Sequence, residues 1–325
     1  MREYRFDVVR VICMTYIISC FHLFGYIYPQ DRTTVCFPVL TALAHTCLGL
    51  FTFVSGYLLG KKYCFGQQGN IGIWSFYKKR ILRVFPLFVI ASMILWLIGF
   101  NDADSTWNGL LCISPFVNPK PMTLYFIPVI MWCYLVTPLI SRRGLKWRAL
   151  GCLFLFSLLL VGRFLFPSID SRFVFDVFFF FVGVVSAPCF DWKLNNTYGT
   201  TIKIFVVLAF ALVIAIAVKS SLLYNTSRQM AVGAIGVFAV FFICEGVSNY
   251  VFGRKKQLGQ LFIYVSYASM ACYMFHRFFY RVAESLWNPF DTNLKWLYMA
   301  GLVFPVMIVL SYVIQNVYDN IVKKI

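Results

Sequence analysis

The sequence predicts an all-α, polytopic integral membrane helical bundle of about ten transmembrane helices, with both termini cytoplasmic. Three observations carry that reading. Of the 325 residues, 61% are hydrophobic and only 13% charged, too few polar groups to cover a water-soluble globule. Apolar runs of about twenty residues, the length that crosses about 30 Å of hydrocarbon as a helix, recur along the chain. The basic residues, 29 Lys and Arg against 12 Asp and Glu, fall in short clusters between those runs.

In chain order the spans are read at 8–28, 36–60, 84–100, 122–140, 148–166, 173–190, 202–219, 229–251, 258–280 and 296–317. The first has the basic flank of a signal peptide but lacks a clear small-x-small cleavage site, so it reads as a retained anchor. The clusters between spans include Lys61 and Lys62, KKRILR at 78–83, RRGLKWR at 142–148, Arg254 to Lys256, and Lys323 with Lys324. With the N-terminus inside, 20 of the 29 basic residues fall on the cytoplasmic side, as the bias of cytoplasmic loops requires. The longest outer loop is residues 101–121. Sequons at Asn195 and Asn225 carry little weight, because the first falls on the inside. Neither an internal repeat nor a soluble domain interrupts the pattern, so residues 1–325 read as a single membrane domain.

The net charge of +17 raises the possibility of nucleic acid. Its confinement to loops between spans makes it a topology signal, and no nucleic-acid partner is expected. The eleven cysteines are scattered with no CxxC pair and read as small buried hydrophobes; no metal site is expected.

Ionisable groups inside hydrocarbon are costly, so they mark candidate chemistry. The chain has three histidines, His22, His45 and His276. His22 precedes Pro29 by seven residues and His45 follows Pro38 by seven. If the first two helices form an antiparallel hairpin, both imidazoles lie about 10 Å below the outer surface. His276 lies near the outer end of the ninth span. Each could instead be a hydrogen-bonded packing residue. At the inner end stand Asp7 and Arg10, one turn apart on the first helix, and Ser55 with Gly56 near the end of the second. Arg80 and Arg83, three residues apart on a helix N-terminal to Pro86, share a face and could grip phosphate oxygens bidentately.

The ordered set RFDVVR…H, FVSGYLL, KKRILRVFP, LYFIPVIMWCYLVTPLI, FFFFVGVV and VSYASMACYMFHRFF resembles the membrane acyltransferase 3 family, integral-membrane O-acyltransferases that decorate surface carbohydrates. The resemblance spans almost the whole chain. It implies a ten-helix domain in the bacterial inner or plasma membrane, an acyl-CoA co-substrate (usually acetyl-CoA), and a carbohydrate or glycolipid acceptor at or beyond the outer face. Arg10 and His22 match the family's N-terminal Arg/His motif, Ser55 and Gly56 its second-helix motif, and Arg80 and Arg83 its RxxR segment, which would face the phosphates of coenzyme A. No hydrolase domain follows the membrane part, so the stand-alone form is expected.

One departure matters. The family usually has ten residues between the Arg and the His, whereas VICMTYIISCF supplies eleven. At 100° per residue, eleven steps leave the pair about 20° apart and twelve leave them about 120° apart. Either a π-bulge absorbs the extra residue or the two side chains have separate tasks. Thr15, Ser19, His22 and Tyr26 already form one polar stripe, which favours separate tasks or a bulge below Thr15.

These readings combine into an expectation. His22 acts as general base on an acceptor hydroxyl, Asp7 orients Arg10, Arg80 and Arg83 hold the donor, and Ser55 is a weak candidate oxyanion donor whose Gly56 could equally serve helix packing. The alternative from another class is a transporter or flippase for a lipid-linked glycan, against which stands the lack of a repeated half-motif. A non-enzymatic scaffold would leave the ordered motifs unexplained.

Overall fold

The computed structural model describes residues 3–28, 36–64, 72–121, 123–141, 145–189, 197–219 and 225–324. The connection between the first two spans, the basic residues Arg142, Arg143 and Lys193, and the Asn195 sequon lie outside the described residues. Among the described residues the regular structure is all helical. Seven helices of the described residues are long and apolar enough to cross a membrane, and shorter apolar helices cover 126–140 and 200–216. The chain groups into two compact units, residues 1–51 with 195–325, and residues 52–194.

In the first unit, α1 (Tyr4–Thr15), a π-helical segment (Tyr16–His22) and α2 (Leu23–Ile27) follow one another without a break. Helix α3 (Cys36–Cys64) runs antiparallel to them. The Tyr16 hydroxyl donates to the Leu40 carbonyl at 2.9 Å, and five residues further along the Phe21 ring packs on Phe37, earlier in α3. The remaining helices are α9 (Thr197–Lys219), α10 (Thr226–Arg254), α11 (Lys256–Leu286), α12 (Thr292–Trp296), a second π-helical segment (Leu297–Val303) and α13 (Phe304–Val322). Helix α1 packs against α10 and α11, and α11 against α13. One apolar core joins Met14, Ile18 and Leu23 to Cys272, Tyr280, Met299 and Met307. Two small residues bring α10 onto α3: a Cβ at Gly233 would lie 3.2 Å from the Ala42 carbonyl oxygen, and one at Gly236 would overlap the Thr46 hydroxyl.

The second unit contains the rest of α3 from Thr52, α4 (Ile73–Leu97), α5 (Ala103–Leu110), α6 (Phe126–Ser141), α7 (Leu145–Leu165) and α8 (Ser171–Cys189). Helix α4 begins eleven residues before the span read at 84–100 and runs through Pro86, so Lys78, Lys79, Arg80 and Arg83 belong to that same helix. A proline lacks one donor, a loss that helices in a bilayer absorb through their neighbours. The loop at 101–121 is folded. The Asp102 side chain caps α5 by accepting from the Ser105 N–H at 2.7 Å, the Trp132 indole donates to the Cys112 carbonyl, and Lys120 pairs with Asp170 at 2.8 Å. Helix α7 turns Leu150, Leu153, Phe154, Leu158, Val161 and Phe164 outward. Such a large exposed apolar face suits lipid, not water.

Candidate active site

Helix α1 carries a buried acid near its N-terminus. Asp7 is 3% exposed, accepts a hydrogen bond from the Ser266 hydroxyl of α11 at 2.7 Å, and lies 3.9 Å from an Arg10 guanidinium nitrogen. A carboxylate in an apolar helix has to be met by donors and a cation, and these neighbours supply both. Asp7 and Arg10 stand one turn apart on the same helix.

The chain then changes pitch. From Tyr16 to His22 the backbone is π-helical, and at its end the Leu23 N–H reaches back five residues to the Ile18 carbonyl. Side chains meet the carbonyls that this shift disturbs. The Ser19 hydroxyl donates to the Thr15 carbonyl at 2.6 Å, and the buried Tyr280 hydroxyl donates to that of Ile18 at 3.3 Å. A single i→i+5 turn takes up one residue, so the twelve steps from Arg10 to His22 count as eleven and the offset returns to about 20°. The sequence therefore reads correctly in allowing a bulge and incorrectly in putting it below Thr15. It lies beyond Thr15, where Ser19 and Tyr280 supply hydroxyls to the loosened turn.

His22 closes the π segment and is partly exposed. Its Nδ1 lies 2.7 Å from Nε2 of His276, which is fully buried on α11, and His276 Nδ1 lies 2.7 Å from the Tyr273 carbonyl oxygen. The two ring planes differ by 6°, with centroids 4.8 Å apart. Faces in van der Waals contact keep atoms about 3.5 Å apart, so a 2.7 Å approach means that the imidazoles meet edge to edge as a hydrogen-bonded pair. His45 is buried on α3 beside Gly233 of α10. One turn beyond His22, Tyr26 donates to Glu284 at 2.7 Å, and Glu284 also pairs with Lys295 at 2.9 Å.

In the second unit, Ser55 is half-buried and Gly56 is buried at a backbone-to-backbone contact. A Cβ at Gly56 would fall 2.1 Å from the Phe180 carbonyl oxygen of α8, and one at Gly183 would fall 2.2 Å from that of Phe53. Gly56 thus does the packing work that sequence reading offered as the alternative to ligand contact. On α4, Arg80 lies against the Phe76 and Tyr134 rings, with its guanidinium carbon 5.4 Å from the Tyr134 centroid, while Arg83 is exposed.

Comparison with known protein families matches the family described as acyltransferase domain over residues 3–315. The chain belongs to that acyltransferase family. No curated protein and no solved structure gives a match. The acyltransferase match runs through both units, and with the membrane-length helices it makes this protein a multi-pass membrane acyltransferase. Two residues of the acyltransferase stand out that sequence reading left without a role, Ser266 on Asp7 and Tyr280 on the π segment. Both lie in or beside the quoted VSYASMACYMFHRFF motif, but their partners are more than 250 residues away. Among the described residues, no group of three His, Cys, Asp or Glu side chains is placed to hold a metal ion.

Proposed function

We propose that this acyltransferase moves an acyl group, most simply acetyl, from cytoplasmic acyl-CoA to a hydroxyl of a cell-surface or lipid-linked carbohydrate. It would do so in the bacterial inner or plasma membrane, as a ten-span domain with both termini cytoplasmic. The observation that carries the reading is His22, an imidazole held at the end of a π turn inside a membrane-spanning helix. A π turn costs regular hydrogen bonds and recurs at functional sites.

The acceptor oxygen attacks the thioester carbonyl while His22 takes the hydroxyl proton. The carbon–oxygen bond forms and the carbon–sulfur bond breaks. The departing thiolate then takes the proton from the imidazolium, leaving the ester, coenzyme A thiol and neutral His22. An imidazole serves both steps because the ring nitrogen that accepts the proton can release it again. Arg80 and Arg83 bind the coenzyme phosphates as charge-assisted hydrogen-bond donors. Asp7 holds Arg10 for the donor at the other end of α1, about 18 Å from His22, a span comparable to an extended pantetheine arm. Ser55 is a candidate partner for the donor, with Gly56 setting its place on α3.

The test uses purified protein, labelled acetyl-CoA and glycan acceptors. Wild type transfers label, His22→Ala loses transfer about 100-fold or more while remaining folded, and Arg80→Ala/Arg83→Ala loses coenzyme A binding. Retained transfer by His22→Ala refutes the base assignment. Comparing O-acyl groups on surface glycans from cells with and without the gene then identifies the acceptor.

A further inference from the structure

We propose that His276 is a positioning residue that fixes the tautomer of His22, so that His22 keeps its proton on Nδ1 and presents a bare Nε2 to the acceptor hydroxyl. The proposal deepens the reading of His22 as base and rests on it for its catalytic consequence; the tautomer itself does not depend on that reading.

The argument is a count of protons along one chain of contacts. A backbone carbonyl can only accept, so His276 Nδ1, 2.7 Å from the Tyr273 oxygen, carries the hydrogen. A neutral imidazole has one N–H, which leaves His276 Nε2 as an acceptor. Its neighbour at 2.7 Å is His22 Nδ1, which must therefore be the donor. By the same count, Nε2 of His22 holds the free lone pair. The carbonyl belongs to the turn preceding His276 on its own helix, so the polarity of the whole chain is set by α11 and not by a mobile group.

The surroundings support a positioned pair. His276 is fully buried and meets the Tyr280 ring edge-on at 6.2 Å, while Tyr280 also donates to the Ile18 carbonyl inside the π segment. One helix thus fixes the backbone pitch that ends at His22 and the ring that His22 leans on. His22 is the partly exposed member of the pair, as a base that meets a substrate must be. After proton uptake, the Nδ1–H donated to His276 becomes a charge-assisted hydrogen bond, which favours the imidazolium as it forms.

The chain has three histidines, so the full-length protein labelled with 15N-histidine gives three imidazole pairs to resolve by NMR. His22, identified by the loss of its signals in His22→Gln, is expected with a protonated Nδ1 and a bare Nε2. In His276→Phe that preference is lost. A wild-type His22 protonated on Nε2 overturns the proposal whether or not acyl transfer has been detected.

Kinetics supply the second arm. The glutamine amide oxygen in His276→Gln takes the place of Nε2 as acceptor, so this variant retains kcat within about tenfold, whereas His276→Phe and the shorter His276→Asn lose about 100-fold with KM for acyl-CoA unchanged. Equal losses in all three, tracking thermal stability, reduce His276 to a packing residue and overturn its positioning role. Full activity in His276→Phe overturns it as well. Failure of the base reading has a separate signature: His22→Ala retains transfer while the tautomer measurement stands.

Discussion

Gly56→Ala tests whether the second-helix motif is a packing device. The Cβ it adds would lie 2.1 Å from the Phe180 carbonyl oxygen, whereas real Cβ contacts rarely fall below 3.4 Å, so α3 and α8 must part by about 1 Å. The obstacle is backbone, which cannot swing aside as a long side chain can. Parting the helices would also open the matching contacts at Gly60, whose Cβ would meet the Val184 oxygen at 2.7 Å, and at Gly183. Overpacking of this kind costs about 3 kcal/mol, at the upper end of the usual range. At about 2 °C per kcal/mol for a chain of this size, Tm falls by about 6 °C. The assay is thermal unfolding of the purified protein in detergent, followed by intrinsic fluorescence, with acyl-CoA KM measured on the folded fraction. Gly246→Ala is the control, because nothing lies within 4 Å of its Cβ position and helix propensity favours alanine by about 0.5–1 kcal/mol. A Gly56→Ala protein with wild-type Tm and a raised donor KM would refute the packing argument and make Gly56 a donor contact.

Two further outcomes follow from buried carboxylates and the cations beside them. Asp7→Asn keeps an acceptor for the Ser266 hydroxyl but removes the charge facing Arg10, so acyl transfer falls about tenfold through donor KM, and by less in Ser266→Ala. Equal activity in Asp7→Asn and wild type would remove Asp7 from the donor end. Burial alone raises the Asp170 carboxyl, but hydrogen bonds from Arg172 and Lys120 hold it well below the usual carboxylate range. Its folded value lies below its unfolded value of about 3.9, so its stabilising contribution is complete above that value and fades as pH drops below it. Asp170→Asn therefore lowers Tm at pH 7, and the gap from wild type narrows toward pH 3 in a pH series of melts; a gap that widens on acidification contradicts the pairing.

Much of this protein is legible in one dimension because the bilayer imposes a simple rule on composition. A helix that satisfies its own backbone has to be apolar over about twenty residues, so the runs announce themselves, and among the described residues seven of the ten expected spans overlap helices long and apolar enough to cross a membrane. Arg10, His22, Arg80 and Arg83 draw attention in the same way, since charge and imidazole are rare in apolar sequence. Less legible were boundaries set by packing. Helix α4 continues through Pro86 because helix ends depend on neighbours more than on one missing donor.

The sequence by itself determined the class of molecule, the family and the residues worth attention. Tertiary structure decided how those residues meet. The twelve-step interval from Arg10 to His22 posed the question of a bulge, yet its place depends on Ser19 reaching Thr15 within the helix and on Tyr280 arriving from α11. Gly56 packs against Phe180, more than a hundred residues later in the chain. His22 and His276 are 254 positions apart, and no local pattern says that one will rest on the other at 2.7 Å. Composition and periodicity are local properties of a chain in hydrocarbon, whereas hydrogen-bond partners inside the bundle are fixed only when helices distant in sequence pack.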